Sequence, residues 1–207
     1  MIWLQRTVGR AASIEGVGLH TGETTRLTFA PAPPNTGLVF RVRQNGRVTE
    51  IPARVDYLAP ADASRRNTSL VRDGVQVATV EHVLAALVGM GVTNCYLDLE
   101  GREPPVVGCG SALPYLRLLG EAAVVVQGLP APCLRITTPI EVRQGDVYLA
   151  AEQCDHFHIT FQVDYEDGFI GRQEASFAIR PDVFAREIAP ARTFAFLEDV
   201  HKLREMG

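Results

Sequence analysis

Thr79-Val80-Glu81-His82 opens the run Val83-Leu84-Ala85-Ala86-Leu87-Val88-Gly89-Met90-Gly91. The apolar residues follow a helical pattern and glycine closes it, so the stretch predicts a helix that starts near Glu81. Neighbouring helical residues diverge by about 100° yet share a turn. An acid beside an imidazole at that point can therefore supply a general base and a metal ligand to one pocket. The same residues also serve as a plain helix start: Thr79 is an N-cap candidate, Glu81 suits the positive end of the helix dipole, and His82 then faces solvent.

Upstream, residues 26–30 and 38–42 read as strands, separated by the helix-breaking Pro31-Ala32-Pro33-Pro34-Asn35-Thr36-Gly37. Downstream, residues 94–99 form a short alternating strand. A second helix follows, with Leu113, Leu116, Leu118, Leu119 and Ala122 as its apolar stripe. Gln127-Gly128-Leu129-Pro130-Ala131-Pro132 then interrupts the pattern, which places an N-terminal α+β domain over 1–126, a linker over 127–132 and a second α+β domain over 133–207. In that second part a hairpin is expected from 140–143 and 147–151 around Gln144-Gly145-Asp146, with a strand over 157–165 and short helices over 182–188 and 198–205. Strands followed by helices indicate α+β layers rather than a βαβ parallel sheet. The second part has fewer residues than the first, so it is expected to be incomplete.

The 207 residues are 46% hydrophobic and 21% charged, the balance of a folded globular chain. A formal charge of −4 gives no electrostatic footprint for nucleic acid. Apolar runs fall short of the roughly 18 residues of a membrane span, and the polar turn at Gln5-Arg6 breaks any signal-peptide core, so the expected address is the cytoplasm. Cys95, Cys109, Cys133 and Cys154 are scattered with no C-x-x-C pair, which indicates neither a structural zinc knot nor a redox motif.

Gly16-Val17-Gly18-Leu19-His20-Thr21-Gly22 lacks the final glycine of a dinucleotide loop and no helix follows it. Taken in order with Pro31 to Gly37, Thr79 to His82 and Ala191-Arg192-Thr193-Phe194, however, it resembles the UDP-3-O-acyl-N-acetylglucosamine deacetylases, zinc amidases of lipid A biosynthesis. The resemblance runs from near Met1 to Gly207. It implies two domains of layered sheet and helix with the active site between them. It also implies zinc as cofactor, His82 as a zinc ligand, Glu81 as general base and Thr193 as the hydroxyl that holds the oxyanion. Phe194 then lies near the substrate sugar, Tyr165 stacks on uracil, and His20 sits near the active site. The implied partner is a small molecule, a UDP-glucosamine derivative with a 3-O-acyl chain and an N-acetyl group, cleaved to the free amine and acetate.

Two departures qualify the resemblance. The family's other zinc ligands come from a downstream His-Lys-x-x-Asp segment and a later histidine that these residues do not include, which implies a truncated form, poorly active alone. His201-Lys202-Leu203-Arg204-Glu205 imitates that segment but follows directly on the Thr193 motif, and reads as a solvated helix. Gly108-Cys109-Gly110-Ser111 stands where the family has Asp-Gly-Ser at the turn into a helix. The competing expectation is a non-catalytic homologue that binds a nucleotide sugar or a protein partner. Oligomeric state is not fixed by the sequence.

Overall fold

A computed structural model describes residues 3–44, 46–60, 67–108, 110–165, 170–194, 196–197 and 201. In chain order the elements are β1 (Leu4–Val8), β2 (Ala12–Val17), β3 (Thr24–Ala30), β4 (Leu38–Gln44), β5 (Arg47–Pro52), β6 (Leu70–Arg72), β7 (Val75–Val77), α1 (Glu81–Gly89), β8 (Cys95–Glu100) and α2 (Leu113–Ala122). There follow β9 (Val124–Pro130), β10 (Ile140–Gln144), β11 (Val147–Ala151), β12 (His158–Asp164), β13 (Arg172–Ala178) and α3 (Pro181–Val183), which continues as a π-helix over Phe184–Ile188. The fold class is α+β, as expected. Cys109 and most of the helix expected over 198–205 lie outside the described residues.

The main sheet has the order β2-β3-β8-β4-β5, antiparallel except where β4 runs parallel to β8. Strand side chains alternate between faces, so Leu27 and Phe29 of β3 lie opposite Leu99 and Leu97 of β8, all four fully or nearly buried. Helices α1 and α2 cover this face with Val83, Ala86 and Leu87, and with Tyr115, Leu118, Leu119 and Ala122. The opposite face is polar: Arg41 forms a two-pronged ion pair with Asp98 and lies 4.1 Å from the centre of the Tyr96 ring. Cys95 points into the core, where burial pushes its thiol up to about 12; it packs and does not react.

The sequence signals at both ends of α1 separate in the structure. Gly91 has φ +74°, and the Val92 and Gly91 N–H groups donate to the Leu87 and Val88 carbonyls, a Schellman closure. Thr79, by contrast, does not cap: the residue before the helix is Val80, and no side chain caps its N–H groups. The Thr79 hydroxyl is used elsewhere, as described below.

The interruption over 127–132 also differs from expectation. Gln127 to Pro130 complete β9, antiparallel to β1, and the Ala131 N–H donates to the Trp3 carbonyl. Gly128 (φ +75°) sits where the register shifts between Leu4 and Arg6, so the glycine and prolines mark a bulge inside a paired strand. This strand seals a network of side-chain amides. Asn94 Nδ2 donates to Gln5 Oε1 (2.8 Å) and Gln127 Oε1 (2.7 Å), its Oδ1 accepts from the Gly37 N–H, and Gln5 Nε2 donates to Asn35 Oδ1. The Pro31 to Gly37 stretch is therefore held by hydrogen bonds to β1 and β9.

Among the described residues, the strands beyond β9 pair only as hairpins, β10 with β11 and β12 with β13. The first matches the expected hairpin and β12 the expected strand. Val142, Val147, Leu149 and Phe161 on these strands are exposed. No helix of the described residues is long and apolar enough to cross a membrane.

Asn94→Ala removes the hub of the amide network, leaving the Gly37 N–H and the Gln127 carbonyl without their partner and Gln5 Oε1 with the Asn35 N–H alone. Unmet buried groups cost about 1–3 kcal/mol each, so urea unfolding is expected to show a loss of about 2 kcal/mol or more. An unchanged midpoint would mean that the network carries no stability.

Candidate active site

A buried carboxylate organises the cleft. Glu103 is 1% exposed and accepts the His20 N–H (3.0 and 3.2 Å), the Thr21 N–H (3.0 Å), the Thr21 hydroxyl (3.1 Å) and the Thr79 hydroxyl (2.5 Å). Burial alone would favour the neutral acid. The hydrogen bonds from Thr79, Thr21 and His20 outweigh it and hold the carboxyl below its ordinary value, so Glu103 is charged. It joins the glycine-rich turn of 16–22 to the loop after β8 and to the residue two positions before α1. The approach is tight: a Cβ on Gly18 would lie 2.3 Å from Thr21 Oγ1 and 2.5 Å from Glu103 Oε2.

Thr79 itself has φ +54°, a left-handed conformation that is a genuine outlier for a β-branched residue. Such strain costs on the order of 1–3 kcal/mol and persists only where surroundings impose it. Here the Thr79–Glu103 bond imposes it, together with the Ala78 N–H donated to the Arg102 carbonyl and the Val80 N–H donated to the Thr68 carbonyl. The kink delivers Glu81 and His82 to the first turn of α1. Glu81 Oε2 accepts the Thr68 N–H at 3.0 Å, which fixes one carboxylate oxygen at the positive end of the helix. His82 faces a narrow cleft lined also by Leu19, Pro105, Val106, Gly110, Ser111, Tyr115 and Thr193.

Thr193 reaches this cleft from the far end of the chain. Phe184 is buried against Gly89, where a Cβ would fall 2.3 Å from the ring, and Ala189 is fully buried. The Ala112 N–H donates to the Ala189 carbonyl (3.1 Å) and the Thr193 N–H to the Gly110 carbonyl (3.3 Å). Gly89 and Phe184 thus dock the segment after α3 onto α1, and Thr193 joins His82 in the lining of the cleft. Below them the Tyr115 hydroxyl donates to the Pro105 carbonyl (2.8 Å). Burial, then the charges of Glu103 and Glu81, push its phenol well above the ordinary range, so it stays protonated.

The site residues read from sequence fall into three groups. His82 and Thr193 share the cleft, with Glu81 beside His82 on the helix. Tyr165 and Phe194 meet at 6.1 Å between ring centres in an edge-on cluster with Phe196, and Phe194 follows Thr193 in the chain. His20 is bound to Glu103 by its backbone while its side chain is exposed, and Leu19 rather than His20 lines the cleft. His201 is exposed, as a solvated helix residue would be. Sequence reasoning passed over Glu103, which sits between Gly101-Arg102 and two prolines like any turn residue. The signal that could have found it is the need of a buried Thr79 hydroxyl for an acceptor.

His82 is a suitable zinc donor, yet a catalytic zinc takes three protein ligands and an open position. Among the described residues, one group of three or more His, Cys, Asp or Glu side chains has metal-binding spacing, and it is Cys154, Asp155 and His156, away from this cleft. The described residues therefore do not complete a zinc centre at His82.

The cleft thus has a carboxylate and an imidazole side by side on one helix turn, and a threonine on its lining, groups able to move a proton, hold a cation and donate a hydrogen bond. A family model for LpxC, UDP-3-O-acyl N-acetylglycosamine deacetylase, matches residues 5–207, and the chain belongs to this family. It is 42% identical over 203 residues to the UDP-3-O-acyl-N-acetylglucosamine deacetylase of Myxococcus xanthus, covering 98% of this chain and 63% of that protein. The corresponding deacetylase of Anaeromyxobacter dehalogenans is 42% identical over 205 residues, 99% of this chain and 65% of the relative. That of Hahella chejuensis is 39% identical over 205 residues, 98% of this chain and 67% of the relative. The chain thus spans just under two thirds of the length of the first two relatives.

Two measurements check this construction of the cleft. Because the Glu103 carboxyl titrates below its ordinary value of 4.5, its stabilisation is complete above that value and is lost as pH falls through the folded-state value. Glu103→Gln is therefore expected to be less stable than wild type at pH 7, with the gap narrowing as pH falls below about 4.5; a gap independent of pH would contradict the assignment. Gly89→Ala is expected to cost about 1–3 kcal/mol through overpacking against Phe184, and to expose the segment bearing Thr193 to limited proteolysis. Unchanged protection there would show that the docking does not depend on this contact.

Proposed function

We propose that the cleft is the His82, Glu81 and Thr193 part of the active site of a UDP-3-O-acyl-N-acetylglucosamine deacetylase, which removes the N-acetyl group as acetate on the route to lipid A. The observation that carries this reading is the meeting of His82 and Thr193 in one cleft from positions far apart in the chain, within a chain of the deacetylase family. Zinc is the proposed cofactor and His82 one of its ligands. A cytoplasmic address belongs to the same proposal.

In this mechanism the Glu81 carboxylate takes a proton from the attacking water. One of its oxygens is anchored by the Thr68 N–H, which fixes its orientation. The proton returns to the departing amine, so the acid finishes as it began. The Thr193 hydroxyl donates to the oxygen that becomes negative in the tetrahedral intermediate, and its backbone bond to Gly110 holds it in place before the reaction starts. Phe194 and Tyr165 present ring faces and edges for the sugar and uracil, and His20 borders the approach.

A division into an N-terminal unit and a partial second one remains part of this proposal, with β9 on the N-terminal side of the boundary. The exposed apolar residues of β10 to β12 also suit the alternative of a binding module, but family membership favours the enzyme. Deacetylation of UDP-3-O-acyl-N-acetylglucosamine by the product of the complete natural reading frame tests the proposal. Glu81→Ala is expected to lower kcat by about 100- to 10,000-fold, and Thr193→Ala by about 100- to 1,000-fold. Full activity in either variant would remove that residue from the mechanism; binding of the UDP-sugar without turnover in wild type would favour the binding module.

A further inference from the structure

The bend before β12 brings together side chains that the cleft does not use. Cys154 Sγ lies 3.6 Å from His156 Nδ1 and 3.8 Å from Asp155 Oδ1, while His156 Nδ1 and Asp155 Oδ1 are 2.5 Å apart. All three donor atoms fall within 4.8 Å of one another, and all three residues are exposed. For zinc–ligand bonds of about 2.0–2.3 Å in a tetrahedron, neighbouring donor atoms are about 3.4–3.6 Å apart. The sulfur–nitrogen edge, 3.6 Å, already has that length, and the sulfur–oxygen edge, 3.8 Å, lies just beyond it. The nitrogen–oxygen edge needs to open by about 1 Å, an easy movement for the exposed Asp155 side chain.

The other ring nitrogen of His156 is also engaged. Nε2 lies 3.3 Å from His158 Nδ1, His158 Nε2 lies 2.8 Å from Ser176 Oγ, and Ser176 Oγ lies 2.7 Å from Thr160 Oγ1 on β12. Asp155 accepts from Nδ1 when no cation is bound; a cation displaces that proton to solvent, and with Nε2–H donated along the relay Nδ1, which faces Cys154 and Asp155, is the nitrogen that coordinates. Metal-binding histidines are commonly oriented through their second nitrogen in this way. The relay rests on the paired strands β12 and β13, so the imidazole is held by regular structure although its neighbours lie in a bend.

We propose that Cys154, Asp155 and His156 form a surface site for a thiophilic divalent cation of the Zn2+ class, with water as fourth ligand and His158 as the residue that positions His156. Thiolate with imidazole selects such an ion over Mg2+ or Ca2+, which prefer oxygen donors. The site is separate from His82 and does not depend on the proposed deacetylase activity.

Cobalt(II) replaces zinc and reports a thiolate ligand by a sulfur-to-metal charge-transfer band. Titration of the reduced, purified full chain with Co2+ is expected to produce this band, and Zn2+ to abolish it by displacement. Cys154→Ser and His156→Ala should lose the band, whereas Cys133→Ser and His82→Ala should keep it. His158→Ala should keep it with affinity lowered by about tenfold or more, the usual effect of removing an orienting partner. Absence of the band in the wild-type chain, its survival in Cys154→Ser, or its loss in Cys133→Ser would overturn the proposal. Because the three residues are exposed, the variants should fold, and matching circular dichroism spectra would verify it.

Discussion

The cleft depends on one buried negative charge. Placing Glu103 where it is 1% exposed would be costly for an unpartnered carboxylate, and its four donors from 20, 21 and 79 offset that cost. The donors come from two separate loops, so the charge fixes both loops relative to each other. It also stabilises the left-handed backbone at Thr79, and that backbone sets the direction from which α1 starts. Glu81 and His82 occupy their places because the Glu103 carboxylate holds Thr79, two residues before the helix.

The second constraint is steric. Gly89 on α1 lets the Phe184 ring approach the helix backbone, and the chain that follows is fastened at Ala189 and Thr193 by hydrogen bonds to Ala112 and Gly110. An electrostatic anchor on one side and a close-packed one on the other therefore define the cleft. The Thr193 hydroxyl and the Glu81–His82 pair are carried by different anchors, so changes at one can shift their spacing without unfolding the other.

Much of this was legible in residues. The apolar spacing of Val83, Ala86 and Leu87 and the glycine at 91 mark α1 and its closure, and the alternation in β3, β8 and β12 marks strands, because local period and turn chemistry encode both. Glu81, His82 and Thr193 stand out once their motifs are taken together. What stayed hidden is non-local. Gln127 to Pro130 look like a linker because Gly128 and Pro130 punctuate them, and only pairing with β1 turns them into a strand. Thr79 looks like a cap, yet its hydroxyl serves a partner 24 residues away. Strands β1, β2, β5 and β13 escaped attention since their short polar-rich segments gain their conformation from neighbours rather than from their own pattern.

The most direct test of the account is an NMR titration of the protein with UDP-3-O-acyl-N-acetylglucosamine, following the His82 ring and the Thr193 and Gly110 amides in wild type and in Glu103→Gln. All three signals are expected to move together at the same substrate concentration in wild type, whereas the variant, with its loops released, needs more substrate to produce the same shifts. Shifts confined to β10 through β13, or an unaltered titration in Glu103→Gln, would contradict it.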